Sequence, residues 1–143
     1  MNSEAFIKQT KQMLRCATAM GGIQVKRIMR KKEYNGWFNY ETWLVKLWID
    51  NEQGTQQYWQ EQAEQAVLRA CSIPAEATFS TEERATLILS SQLKDDFEEA
   101  QPELTGFWAD LMCVAMSEVN WHEIAASMVG DAVQAANEER VME

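Results

Sequence analysis

The sequence predicts an all-α fold, a compact bundle of five or six helices with a basic N-terminal amphipathic segment and at most one small hairpin near residues 23–38. Three observations predict it: apolar residues recur at steps of three and four, Ser and Asn precede Glu at capping-box spacing, and Gly and Pro punctuate short connections. The first helix falls over 3–20, with Phe6, Ile7, Met13, Leu14, Ala17 and Met20 on one side and Lys8, Lys11, Gln12 and Arg15 elsewhere. Gly21-Gly22 closes it. The run 23–32 reads equally well as a short strand or a continued helix.

Gly36 marks a turn and Asn39 is a good N-cap for a helix over 40–51. Trp43, Leu44, Leu47 and Trp48 form one face of that helix, and Val45 and Ile49 widen it. An apolar surface so broad predicts a place at the centre of the core. Gly54 should end this helix and Thr55 cap the next, over 56–71, whose stripe is Tyr58, Trp59, Gln62, Ala63, Ala66, Val67 and Ala70. Ile73-Pro74 breaks the chain. Ser80 with Glu83 opens a helix that turns Ala85, Ile88, Leu89, Leu93 and Phe97 inward and ends in the acidic run 95–99. After Pro102 a helix fits 103–119, carried by Leu104, Phe107, Trp108, Leu111, Met112 and Ala115. Asn120 with Glu123 repeats the capping spacing and starts the last helix, 121–139, with Ile124, Ala125, Met128, Val129, Ala132, Val133 and Ala136 inward.

A chain of 143 residues with 46% hydrophobic content can bury one core of ordinary size, which excludes a wholly disordered acidic polypeptide. Its net charge of -9 conceals a division. Residues 1–32 hold eight bases and one acid, whereas 33–143 hold five bases and 21 acids. The expected organisation is therefore a basic arm, 1–32, and an acidic helical domain, 33–143.

Cys16, Cys71 and Cys113 are odd in number and widely spaced, and there is a single histidine, so a zinc site or disulfide framework is not expected. Each cysteine lies in an apolar helical context and reads as a buried thiol, consistent with a cytosolic protein. No run approaches the ~18 apolar residues of a membrane span. The basic arm also lacks the apolar core and cleavage site of a signal peptide.

Signatures of chemistry are missing. No serine lies in a Gly-x-Ser-x-Gly context, no Gly-x-x-x-x-Gly-Lys phosphate loop occurs, and His122 has no third positioned group beside Glu123, so neither catalysis nor a cofactor is expected. Two charged surfaces remain as candidates. Glu61, Glu64, Asp95, Asp96, Glu98, Glu99 and Glu103 lie at helical intervals and can imitate the charge lattice of a nucleic-acid backbone toward a partner's basic groove. Lys26, Arg27, Arg30, Lys31 and Lys32, followed by Tyr34 and Trp37, combine phosphate contacts with stacking platforms as single-strand binders do. A membrane surface, an acidic partner or the protein's own acidic body fits the arm as well.

The stretch Tyr34-Asn35-Gly36-Trp37-Phe38-Asn39-Tyr40-Glu41-Thr42-Trp43, continued by Leu47-Trp48-Ile49-Asp50-Asn51-Glu52 and Tyr58-Trp59, resembles a motif of small uncharacterised phage, plasmid and mobile-element proteins. The resemblance implies a context and no mechanism. A structural account of the motif makes Asn39 a cap, puts Glu41 and Thr42 in the first turn, and sends Trp43, Trp48 and Trp59 into the core. With the acidic body, the expectation is a non-enzymatic inhibitor of a host nucleic-acid-processing defence complex, of the anti-CRISPR or anti-restriction type, acting by protein contact. The alternative is an accessory single-stranded nucleic-acid-binding protein.

Overall fold

The computed structural model describes residues 34–74 and 78–142, all within the compact unit Glu33–Glu143. The expected helix over 3–20, the run 23–32 and Cys16 lie outside the described residues. Five helices follow in order: α1 Tyr40–Asn51, α2 Gln53–Ser72, α3 Thr81–Glu99, α4 Phe107–Ser117 and α5 Trp121–Met142. The all-α class is as predicted. Among the described residues the extended backbone is limited to one bridge, Tyr34 to Trp37, whose two hydrogen bonds close the turn at 2.8 and 2.9 Å. Asn35 and Gly36, at φ 49° and 84°, supply the two left-handed residues that a tight reversal of this kind demands.

The core is formed by α2, α3 and α5, each packed on the other two. Leu89 and Leu93 from α3 and Ile124 and Val129 from α5 are fully buried. From α2 come mainly small residues, Ala63, Ala66 and Ala70, so its backbone approaches its neighbours closely where larger side chains would hold it away. Both bonds of the Ser80–Glu83 capping box form: Ser80 Oγ accepts from Glu83 N at 3.2 Å, and Glu83 Oε2 accepts from Ser80 N at 2.7 Å.

Several expectations are corrected. Helix α1 is peripheral to the core, burying only Thr42 and Ile49. Hydrogen bonds at its start fix its rotation so that Thr42, Val45 and Ile49, spaced by three and four, point inward, and Trp48, one residue out of step, is 68% exposed. Gly54 does not end α1. One extended residue, Glu52 at φ -109° and ψ 117°, makes the break, and Gly54 lies in the first turn of α2. The helix expected from 103 begins only at Phe107, because Gly106 at φ 59° interrupts the backbone. Cys71 and Cys113 are exposed free thiols, since Cys71 falls one position past the buried stripe that ends at Ala70 and Cys113 lies on a helix that buries nothing.

Candidate functional site

Asn39 and Thr42 explain the polar part of the motif. Asn39 Oδ1 accepts from Thr42 N at 2.9 Å and from the Thr42 hydroxyl, while Asn39 Nδ2 donates to the Glu118 carbonyl at 2.6 Å. The Thr42 oxygen in turn accepts from Asn120 N at 2.9 Å. Both side chains are buried and every group is partnered, so this node joins the start of α1 to the α4–α5 connection. Asn120 caps α5 through Glu123 N at 3.2 Å, but Glu123 does not return the bond; its Oε2 accepts from Phe38 N at 3.0 Å. The node therefore holds the Asn-Gly turn as well as two helix starts.

An aromatic edge stands beside it. Tyr34, Tyr40 and Trp43 meet ring to ring with centroids 5.0 to 5.5 Å apart. Tyr34 and Tyr40 are exposed, whereas Trp37, expected with Tyr34 as a stacking platform, packs half-buried against the core. Of the three tryptophans assigned to the core, only Trp59 is fully committed to it. It stacks on Phe97 at 6.2 Å, and Phe97 meets Trp121 at 5.5 Å, a row that ties α2, α3 and α5 together.

The acidic candidates do not form one patch. Tyr58 donates to Asp96 at 3.4 Å and Gln92 to Gln62 at 2.8 Å, fixing α2 and α3 as antiparallel neighbours in this register. One helical turn from those contacts lie Glu61 on α2 and Asp95 and Glu99 on α3, so with Asp96 they line one seam. Asp96 is half-buried and the other three are exposed. Glu64 lies a further turn along α2 and is exposed. Glu98, one helical turn from Asp95, has Lys94 3.8 Å away, and both line a cleft of about 510 Å³ with Cys113, Met116 and Trp121. Glu103 belongs to the connection before α4. The basic candidates Lys26, Arg27, Arg30, Lys31 and Lys32 lie outside the described residues.

Helix α4 is the feature that sequence reasoning missed. All but two of its residues are apolar or alanine, the exceptions being Asp110 and Ser117, and none is buried. Ala109, Met112 and Met116 are half-covered, and on the opposite side Phe107, Trp108, Leu111 and Val114 stand out at 49 to 68% exposure. Its periodicity reads as an inward stripe. The signal that distinguishes it is its apolar character all round, which leaves the outward face uncovered whichever side packs.

His122 is exposed in a shallow cleft with Ser80, Glu82, Glu83 and Thr86. The capping bonds from Ser80 N and Ser80 Oγ hold the Glu83 carboxyl below the usual carboxylate range and commit it to the helix start. Among the described residues no three His, Cys, Asp or Glu side chains are grouped to hold a metal ion, and no helix is long and apolar enough to cross a membrane.

These elements define an all-α domain with a three-helix core, a capping helix α1 and an uncovered apolar helix α4. Residues 30–140 match the model of DUF7249, a family of unknown function, and the chain belongs to that family. No curated protein and no solved structure matches the chain.

Proposed function

We propose that this protein is a non-enzymatic inhibitor from a mobile element that binds a nucleic-acid-processing defence complex of its bacterial host by protein contact, presenting carboxylates where that complex takes a phosphate backbone. The observation that carries the reading is the α2–α3 seam, where Glu61, Asp95, Asp96 and Glu99 gather beside the Tyr58–Asp96 contact. Among the described residues no lysine or arginine lies one helical turn along α2 or α3 from these four, and Lys94 is paired with Glu98. Anionic groups held at helical intervals attract a basic groove and displace its counterions as a nucleic acid does. The motif 34–59 supplies the mobile-element context.

The test is capture of purified restriction or RNA-guided complexes by the full chain, with loss of their DNA binding as the functional measurement. Glu61→Lys, Asp95→Lys and Glu99→Lys together are expected to weaken capture at least tenfold while the circular dichroism stays unchanged; Asp96 is spared because it bonds Tyr58. Capture that survives this reversal undiminished removes the acidic-face mechanism.

A second reading draws support from the exposed Tyr34 and Tyr40 rings, which directly follow the basic run 26–32 in sequence. It makes the protein an accessory binder of single-stranded nucleic acid, with an affinity that falls steeply as salt is added. A gel-shift at low salt with no retarded band disposes of it.

A further inference from the structure

Helix α4 buries no residue, and among the described residues it makes no substantial packing contact with another helix. Its outward stripe of Phe107, Trp108, Leu111 and Val114 follows the spacing by which one helix packs on another. Contiguous exposed apolar surface rich in Trp and Phe is the composition of a binding hot spot.

The surroundings of the stripe decide what fits it. Glu103 lies just before α4, Asp110 within it and Glu118 directly after it, all exposed. Glu98 lines the cleft against Cys113 and Met116, and Lys94, the cation beside it, is 3.8 Å from Glu98. An apolar stripe with an acidic rim accepts an apolar stripe with a basic rim. A second copy of the chain would set Asp110 and its neighbours against acids of the same kind, and an anionic lipid surface would meet the same repulsion.

We propose that the outward face of α4 is a docking site for a basic amphipathic helix of another protein, with Leu111 at the centre of the contact and Glu103, Asp110 and Glu118 pairing with flanking Lys or Arg. This site lies apart from the α2–α3 seam and goes beyond the function proposed for it. Trp108 and Phe107 bury against the partner's apolar residues, and the carboxylates set its orientation and exclude acidic helices.

The experiment titrates the full chain into a fluorescently labelled 18-residue peptide with a leucine stripe flanked by lysines. Two controls carry the same stripe flanked by glutamates and the same composition scrambled. The lysine peptide is expected to bind at least tenfold more tightly than either control. Leu111→Glu is expected to weaken it at least tenfold with the melting temperature unchanged, and Val114→Glu repeats the measurement should the first variant fold poorly. Glu103→Lys with Asp110→Lys is expected to weaken binding and flatten its salt dependence. The seam reversal Glu61→Lys, Asp95→Lys and Glu99→Lys is expected to leave peptide affinity within about threefold, so a failure of the seam reading and a failure of this one are separately visible. Equal binding of the scrambled peptide, or indifference to both Leu111→Glu and Val114→Glu, overturns the proposal. So does a dimer in sedimentation that Leu111→Glu dissolves, which assigns the stripe to a second copy, or intramolecular cross-links from residues 1–32 to α4, which assign it to this chain's own basic segment.

Discussion

Thr42 is buried, yet its hydroxyl carries two bonds, donating to Asn39 Oδ1 and accepting from Asn120 N. Replacing it with valine keeps the shape and leaves Asn120 N and one Asn39 lone pair without partners, so Thr42→Val is expected to cost roughly 1–3 kcal/mol in urea unfolding. Asn39→Ala removes the cap and the bond to the Glu118 carbonyl, and the double variant should fall short of the sum of the two singles, since both delete the same node. Additive losses would show that the two residues act independently. At the start of α3, Ser80→Ala is expected to cost about 1 kcal/mol. Its partner Glu83 titrates below an ordinary carboxyl in the folded chain, held there by the Ser80 backbone and hydroxyl bonds. The sign follows: its stabilisation is complete above the unfolded carboxyl value of about 4.3 and disappears as pH falls through that value toward the lower folded one. Glu83→Gln should flatten the pH dependence of unfolding in that window, and an unaltered slope would mean that the carboxylate contributes nothing to it. The Asn39 and Ser80 caps are legible in sequence because a cap is a local device of three or four residues. The second use of Thr42, as acceptor for a residue 78 positions away, is not, since only tertiary packing brings Asn120 to it.

Among the elements, α3 and α4 are equally periodic in sequence and opposite in burial. Leu89 is fully buried and Leu111 is 49% exposed. Leu89→Ala is expected to cost about 2–5 kcal/mol, through lost transfer energy and a residual cavity, whereas Leu111→Ala should stay within about 0.5 kcal/mol. Chemical denaturation of the two variants measures the contrast, and comparable losses would show that α4 belongs to the core after all. A helical stripe specifies which residues share a face, but not whether another face exists to receive them. Helices α2, α3 and α5 supply faces to one another, so their stripes at Ala63–Ala66–Ala70, Leu89–Leu93 and Ile124–Ala125–Met128 read correctly. The reading of α1 fails for a related reason: it is apolar over most of its circumference, and the node at Asn39 and Thr42, which its hydrophobic pattern does not encode, selects Ile49 over Trp48 for the interior. The start of α4 is misplaced because Leu104 keeps the helical spacing through Gly106, where the backbone turns to positive φ.

For the whole molecule, charge is the property that sequence states most fully and places least. The count of 21 acids against five bases in 33–143 is visible at once, but neither the register of α2 on α3 nor the pairing of Glu98 with Lys94 follows from it. That register makes the seam a concentrated patch, and like charges within a Debye length oppose the compact state. Two ion pairs among the described residues, Lys46–Asp50 at 2.6 Å and Lys94–Glu98 at 3.8 Å, lie within single helices and bring no cation to the seam. Both are of the i,i+4 type and contribute about 0.3–0.5 kcal/mol each. With 21 acids against five bases in 33–143, repulsion there is expected to outweigh attraction, and the chain is expected to gain stability as salt rises from about 0.01 to 0.15 M, where the screening length shortens from about 30 to 8 Å. A gain of about 1 kcal/mol would raise the melting temperature by a few degrees. Asp95→Asn with Glu99→Gln should raise the low-salt melting temperature and reduce its rise with salt, because both relieve the same repulsion. A melting temperature that falls on adding salt would mean that attractive pairing dominates, and the carboxylates of the seam would then be engaged and not free to meet a basic partner.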